Sequence, residues 1–311
     1  MKFNQLRDFV AVAENGSLRA AARVLGLAQP AITRSIQELE HSLGVQLFVR
    51  EARGVRLTPI GQEFLVRAML ILGEIRRARE AVNQRQGEVD GELVVGFSSA
   101  AHLGILAKIL RSFQDRYPNV RLRVIEGFLP TLEAELRNGQ VDLYVGPVTE
   151  RVQPADLQIT KLFDNKRVVA CRRNHPLANV RSFHDLADAA WLTTSITHKA
   201  EDELKQVFAE HGLGAPHLVC QCQSAFSVLT VIINTDLLAM MPVQWIESPI
   251  VSGFVEQIKL ETLFAAPPIM MVHRAGIGLT PAAEHFSHLV QRVANSKVSM
   301  TDSNHLSVRQ F

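Results

Sequence analysis

The sequence predicts a molecule in three parts: an all-α head closed by a small wing, one long linker helix, and an α/β two-lobed domain. Three observations predict this. Residues 1–58 hold three short apolar helix patterns separated by glycines, followed by a partly alternating stretch around Gly54. After Pro59 no proline interrupts the chain until residue 118, and the apolar residues of the first part keep a helical period. Beyond residue 90, buried-strand runs alternate with helix patterns, which implies a parallel α/β sheet.

The bulk numbers agree with a globular protein. A chain of 311 residues, 47% apolar and 21% charged, has room for two or three domains at about 100–200 residues each. Net charge is +2, but residues 1–90 hold 13 Lys and Arg against 10 Asp and Glu. A mildly basic start is compatible with nucleic acid without requiring it. Three cysteines, an odd count, argue against a disulfide scaffold and for a reducing cytoplasmic setting. Asp8 and Glu14 interrupt what would be the apolar part of a signal peptide, and no apolar run reaches the roughly 20 residues of a membrane span.

In the head, Phe3, Leu6, Phe9 and Val10 fit a first helix ending near Gly16. Ser17 is a good N-cap for the second, whose inner stripe is Leu18, Ala21, Ala22 and Leu25. Gly26 ends it and gives a tight turn. In the third helix, Ile32, Ile36, Leu39 and Leu43 are spaced 4, 3, 4 and form one face. At about 100° per residue, Pro30, Arg34, Gln37 and His41 fall opposite, with Thr33 on the flank. A helix that only packed into a core would not need that choice. Arg and Gln can pair with base edges, Thr can touch a thymine methyl, and a helix N-terminus accepts phosphate. The stretch VQLFVREARGVRLT then fits a two-stranded wing with Gly54 at its tip and Arg53 and Arg56 beside it. The competing reading is a helical bundle with a solvated outer face.

In the long helix, Phe64, Ala68, Ile71, Ile75, Ala78 and Val82 are spaced 4, 3, 4, 3, 4, the seam of a coiled coil. A homodimer through this linker helix follows, and on the DNA reading its two heads would match an interrupted palindrome in double-stranded promoter DNA. Gly87 and Gly91 bracket a hinge.

The run FVAVAENGSLRAAARVLGLAQPAITRSIQELEHSLGVQLFVR, followed by GVRLTPIGQEFL, resembles the winged helix-turn-helix of LysR-type transcriptional regulators. The match is long, ordered and ungapped. The resemblance implies that Gln29, Pro30, Thr33 and Arg34 approach the bases and that Ser17, Arg50 and Arg53 meet the phosphate backbone or serve the wing. Gln37 joins them by its place on the outer face. Ala31 departs from the proline or serine common at that position. The rest resembles the family's effector domain, which is itself similar to periplasmic solute-binding proteins. By that resemblance the parts are residues 1–58, 59–90 and 91–295, the last divided into lobe I (91–161 plus 267–295) and lobe II (162–266), with a polar tail at 296–311. The family usually forms tetramers, so a homotetramer is expected.

A small-molecule effector between the lobes is the expected partner. The loop GFSSAAH offers Ser98 and Ser99 at a helix start, a setting that favours an anion. Its near match to a nucleophile elbow lacks the final glycine, and Ser98 has no triad partners in the usual order, so the chain is not expected to be an enzyme. Thr194, Ser195 and Ser224 sit on loops that face the cleft in the family. Phe97, Phe128 and Phe226 are candidates for an apolar floor, with core packing as the competing role. Together these suit a small organic acid, aromatic bodies included, while a neutral or amino-acid effector stays open. Cys220 and Cys222 lie two apart on a strand; a cysteine-based redox sensor and a cytosolic small-molecule-binding protein without a DNA role are the alternatives. No metal-binding spacing occurs among the eleven histidines, and no cofactor is expected.

Overall fold

The computed structural model describes residues 1–51, 54–87, 90–148, 156–194, 199–262 and 264–307, with side chains described through residue 296 except for Lys199. Arg53 and Ser195 lie outside the described residues.

The head is built from α1 (Phe3–Asn15), α2 (Leu18–Leu25) and α3 (Gln29–Leu43), then the hairpin β1 (Phe48–Glu51) and β2 (Gly54–Leu57). Glycines 16, 26 and 44 end the three helices in the left-handed conformation. Phe9, Val12, Ala21, Ile32, Leu39 and Leu47 are fully buried at its centre. Glu40 of α3 fixes the wing's root, accepting from the amides of Leu47 at 2.7 Å and Phe48 at 3.1 Å. The wing closes onto the end of α1: Val55 donates its amide to the Gly16 carbonyl at 2.9 Å. A Cβ on Gly54 would collide with that carbonyl, and its φ of +130° also demands glycine.

Thr58 caps α4 (Pro59–Arg85), accepting from the Gly61 amide at 2.9 Å. At 27 residues the helix is about 40 Å long. The seam read from the sequence divides in two. Phe64 and Ala68 are part of the head's own core, Ala68 being fully buried there. Ile71 and Val82 are exposed at 38% and 54%. Only the second half of the stripe is therefore open to a partner; the first half already covers the apolar backs of the other head helices.

The α/β domain holds one nine-stranded sheet among the described residues. Its first parallel group is β3 (Asp90–Phe97), β4 (Asn119–Glu126) and β5 (Leu143–Pro147). Its second is β7 (Ala190–Thr194), β8 (His217–Cys222) and β9 (Leu238–Pro242). Between them run the long strands β6 (Leu157–Arg172) and β11 (Phe264–Arg274), giving the order β4-β3-β5-β11-β6-β9-β7-β8, with β10 (Val255–Gln257) paired to β6. Both long strands pair antiparallel to their neighbours, which a reading based on strand-helix alternation alone does not reveal. The expected lobe borders at 161/162 and 266/267 fall inside these two strands. The β6–β11 register shifts beside Pro267 and Pro268, residues that lack an amide for the ladder.

In the first half, α6 (Ala107–Arg116) and α11 (Pro281–Ser307) sandwich aromatic residues over the sheet; Phe113 and Phe286 meet edge to face at 5.3 Å. A short turn, α5 (Ser99–Ala101), and a π-helical turn over His102–Leu106 precede α6, while α7 (Leu129–Arg137) covers the opposite face. In the second half, α8 (Lys199–Glu210) packs Phe208 against Trp191 and Phe183, and α9 (Ala225–Asn234) lies over β7 and β8. The helix α11 continues to Ser307, past the polar tail expected from residue 296, because no proline or glycine stops it there.

Candidate DNA interface and effector site

On α3 the burial pattern separates two faces. Ile32, Ile36 and Leu39 are buried, while Gln29, Pro30, Arg34 and Gln37 are exposed. Arg34 makes no ion pair among the described residues. Thr33 is half-buried, and its hydroxyl donates to the Gln29 carbonyl at 3.1 Å, which engages its proton and leaves its methyl for apolar contact. Ala28 occupies the N-cap and supplies no side-chain cap, which leaves the first amides of α3 open to an anion. An open groove of about 470 Å³ runs beside this end, lined by Lys2, Asn4, Pro30, Arg34, Ser35 and Glu38, among others.

The flanking residues follow from the head's packing. The Ser17 hydroxyl caps α2, accepting from the Ala20 amide at 3.5 Å. Gly54 sits against Gly16 and Ser17, so the wing stands next to the start of α2. Arg50 is exposed on β1, whereas Arg56 is held by Glu51 at 2.6 Å.

The effector-site candidates cluster at the C-terminal ends of the two parallel groups. Ser98, Ser99 and Phe128 follow β3 and β4; Thr194 ends β7, paired with Cys222, and Ser224 follows β8. Their individual settings differ. Ser98 is buried, its amide donates to the Val145 carbonyl at 3.0 Å and its hydroxyl accepts from the Ala101 amide at 3.3 Å. It serves as a helix cap, while Ser99 is the more accessible hydroxyl. Phe97 does not line a floor: it is fully buried, 6.2 Å from the Phe286 ring and 5.3 Å from the His102 ring. The inward side of a central strand puts it in the core. Phe128 and Phe226 are exposed at 38% and 80%. Ser224 caps α9, accepting from the Ser227 amide at 3.1 Å. Thr194 is half-buried at the end of its strand.

The halves meet through α10 (Val243–Glu247), which packs on α5 and the π-helical turn. Leu103 of that turn joins the apolar cluster of the second half beside Leu192 and Trp245. Three polar residues here escaped the sequence reading. Gln244, buried, donates to the Asn165 side chain at 3.0 Å, but its own Oε1 has no partner. His102 has a buried Nδ1 without a partner. Burial pushes its pKa down, with Glu126 and the Ser98 backbone opposing. The only sequence signals were a histidine following the serine loop and a glutamine following a strand-ending proline.

The linker helix is tied to the first half by charge. Arg77, buried in the middle of α4, donates to the Gly139 carbonyl at 2.7 Å and to Glu74 at 2.9 Å, and faces Asp142 at 3.4 Å. Arg274 of β11 reaches the same Glu74 oxygen at 2.7 Å. Burial would lift the Glu74 pKa, but the hydrogen bonds from Arg274 and Arg77 outweigh it and hold it below its ordinary value. At Asp142 burial wins over Val94 and the two arginines, and the pKa is raised.

Among the described residues no group of three His, Cys, Asp or Glu is placed to hold a metal, and no helix is long and apolar enough to cross a membrane.

A winged helix-turn-helix joined by a long helix to an α/β domain defines a DNA-binding regulator with a ligand domain. The model for the bacterial regulatory helix-turn-helix protein of the LysR family matches residues 3–62, and that for the LysR substrate binding domain matches residues 86–295. The chain belongs to the LysR family of transcriptional regulators. It is 32% identical over 297 residues to the SDS degradation transcriptional activation protein of Pseudomonas sp. (strain ATCC 19151), covering 92% of this chain and 94% of that one. It is 28% identical to the HTH-type transcriptional regulator GalR of Pseudomonas putida, covering 93% and 73%. Among solved structures it is similar to CbnR, a LysR family regulator, with TM-score 0.67, 25% identity and coverage of 94% and 99%. The full-length CbnR complex with its target DNA gives TM-score 0.69 at 24% identity, covering 94% and 100%.

Proposed function

We propose that the protein is a cytoplasmic regulator that reads an interrupted palindrome as a homodimer or homotetramer and answers to a small organic acid held between its lobes. The observation that carries the DNA half is the division of α3 into a buried apolar face and an exposed face of Gln29, Pro30, Arg34 and Gln37. Those residues read base edges, Thr33 adds apolar contact, and Ser17, Arg50 and Arg53 hold the backbone. The exposed second half of the α4 stripe supplies the dimer seam. Ser99, Thr194, Ser195 and Ser224 present hydroxyls to the effector, Phe128 its apolar wall, and Ser98 shapes the loop as a cap. The protein works by binding alone, without cofactor or catalysis.

The test selects DNA from a random pool with the full chain, then screens that complex against organic acids, amino acids and sugars. An interrupted palindrome whose affinity falls steeply with salt is expected. An effector at about 100 times its Kd should add about 2.7 kcal/mol of stability, lost on Ser99→Ala or Thr194→Ala. Failure to enrich any DNA sequence would overturn the DNA reading; stabilisation that survives both substitutions would overturn the placement of the effector.

A further inference from the structure

Cys220 and Cys222 lie two apart on β8, the outer strand of its group, so their side chains leave the same face. Their sulfurs stand 3.7 Å apart. Cys222 is buried and Cys220 half-buried, both within the apolar cluster under α9. The strand is bulged next to them, because Trp191 pairs with Leu218 and Leu192 with Cys220, which leaves Val219 unpaired and 55% exposed. The third thiol, Cys171, sits apart on β6 and donates to the Glu256 carbonyl.

A disulfide is a poor use of this pair. Alternate residues on an extended strand have Cα atoms about 6.6 Å apart. That is close to the upper limit of about 6.8 Å for a disulfide, and the Cβ vectors run side by side instead of converging. One atom bonded to both sulfurs fits better. Two sulfurs bonded at about 2.3 Å to one atom stand about 3.8 Å apart on a tetrahedral centre and about 3.4 Å apart at the narrower angle of a pyramidal one, so this pair need draw together only slightly. Zinc would need further protein ligands, and no third His, Cys, Asp or Glu joins the pair among the described residues. An element that brings its own substituent needs only the two sulfurs.

We propose that Cys220 and Cys222 form a dithiol site for a trivalent arsenical. The step is a condensation. Each thiol gives up its proton, two arsenic–sulfur bonds form, the arsenic–oxygen bond of an arsine oxide breaks, and the oxygen leaves with both protons as one water. Arsenic stays trivalent, so no oxidant or reductant takes part. Burial, with Cys220 adding to it, pushes the Cys222 thiol up to about 11, so this thiol rests protonated and inert toward weaker electrophiles. The second bond is made within one strand, which gives the chelate its tightness.

The test titrates the reduced full chain with phenylarsine oxide and counts free thiols and adduct mass. One phenylarsine per chain is expected, protecting two of the three thiols. A small dithiol should strip it, while an excess of monothiol should not. Cys171→Ser should bind as the parent does, and Cys220→Ser should lose about 100-fold in affinity. Cys220 packs half-buried against the cluster under α9, so a melting curve of that variant first establishes that it is folded. Undiminished binding by Cys220→Ser, an arsenic shared between two chains, or three thiols still free after titration would each overturn the proposal.

Discussion

Arg77 of the linker helix donates to the backbone carbonyl of Gly139 at 2.7 Å, joining two residues 62 positions apart. The arginine is buried, and Glu74 and Asp142 balance its charge. The linker helix is thus fastened to its own effector domain by this guanidinium, beside the Arg274–Glu74 pair and the bond from Arg76 to the Glu92 carbonyl.

Arg77→Ala leaves the Gly139 carbonyl without its donor and Asp142 buried with only the Val94 amide and the more distant Arg76. The expected loss is about 3 kcal/mol, since removing one partner strands the other. Arg77→Lys should fall between, keeping the charge but losing the fork. Denaturant midpoints for the three proteins decide this, and equal midpoints for Ala and parent would refute it.

Arg34→Ala should act on DNA alone. On the site selected by the parent protein, the expected cost is about 1–3 kcal/mol of specific binding. The side chain is exposed, so thermal stability should move by no more than about 0.5 kcal/mol. A variant that loses stability but keeps specificity would contradict the role.

Two substitutions on α4 separate its halves. Val82→Asp places a charge on the exposed stripe and should leave the chain folded while halving the sedimenting assembly relative to the parent. Ala68→Asp buries an unpaired carboxylate in the head and should unfold it. If Val82→Asp sediments as the parent does, the seam lies elsewhere.

Acid should weaken the fold partly through His102, and His285 acts in the same direction, its pKa also lowered first by burial. The sign follows from linkage. A folded-state pKa below the ordinary value of about 6.5 means that the unfolded chain takes up its proton first as pH falls. Stability is therefore fully present above about 6.5 and declines below it, until the folded form protonates as well. The stability advantage of the parent over His102→Gln should be larger at about pH 8 than at about pH 5. Melting curves at both pH values check it, and an equal gap would rule out this histidine.

The head was legible because its signals are local. The Ser17 cap, the glycine stops and the two faces of α3 each depend on neighbours within a few positions. The α4 stripe had the right period, but periodicity does not say which surface covers it, and its first half turned out to pack on the same chain. Arg77 reads as one more solvated arginine until the fold brings Gly139 to it. Phe97 is ambiguous for a similar reason: a phenylalanine at a strand end suits a floor or a core, and only the position of Phe286 settles it. Gln244 and His102 carry only the weak signal of their places in the chain, since their surroundings depend on how the two halves close.

The burial of Ala68 has a mechanical consequence. Because the head's core extends into α4, head and helix move as one lever about 40 Å long, and a fragment cut at residue 58 would lose part of the fulcrum. A tilt of about 10° about Arg77 would swing the Pro59 end, about 27 Å away along the helix, by about 5 Å, more than one base-pair step of about 3.4 Å. Small rearrangements around this guanidinium are thereby geared up to the scale of single base-pair steps.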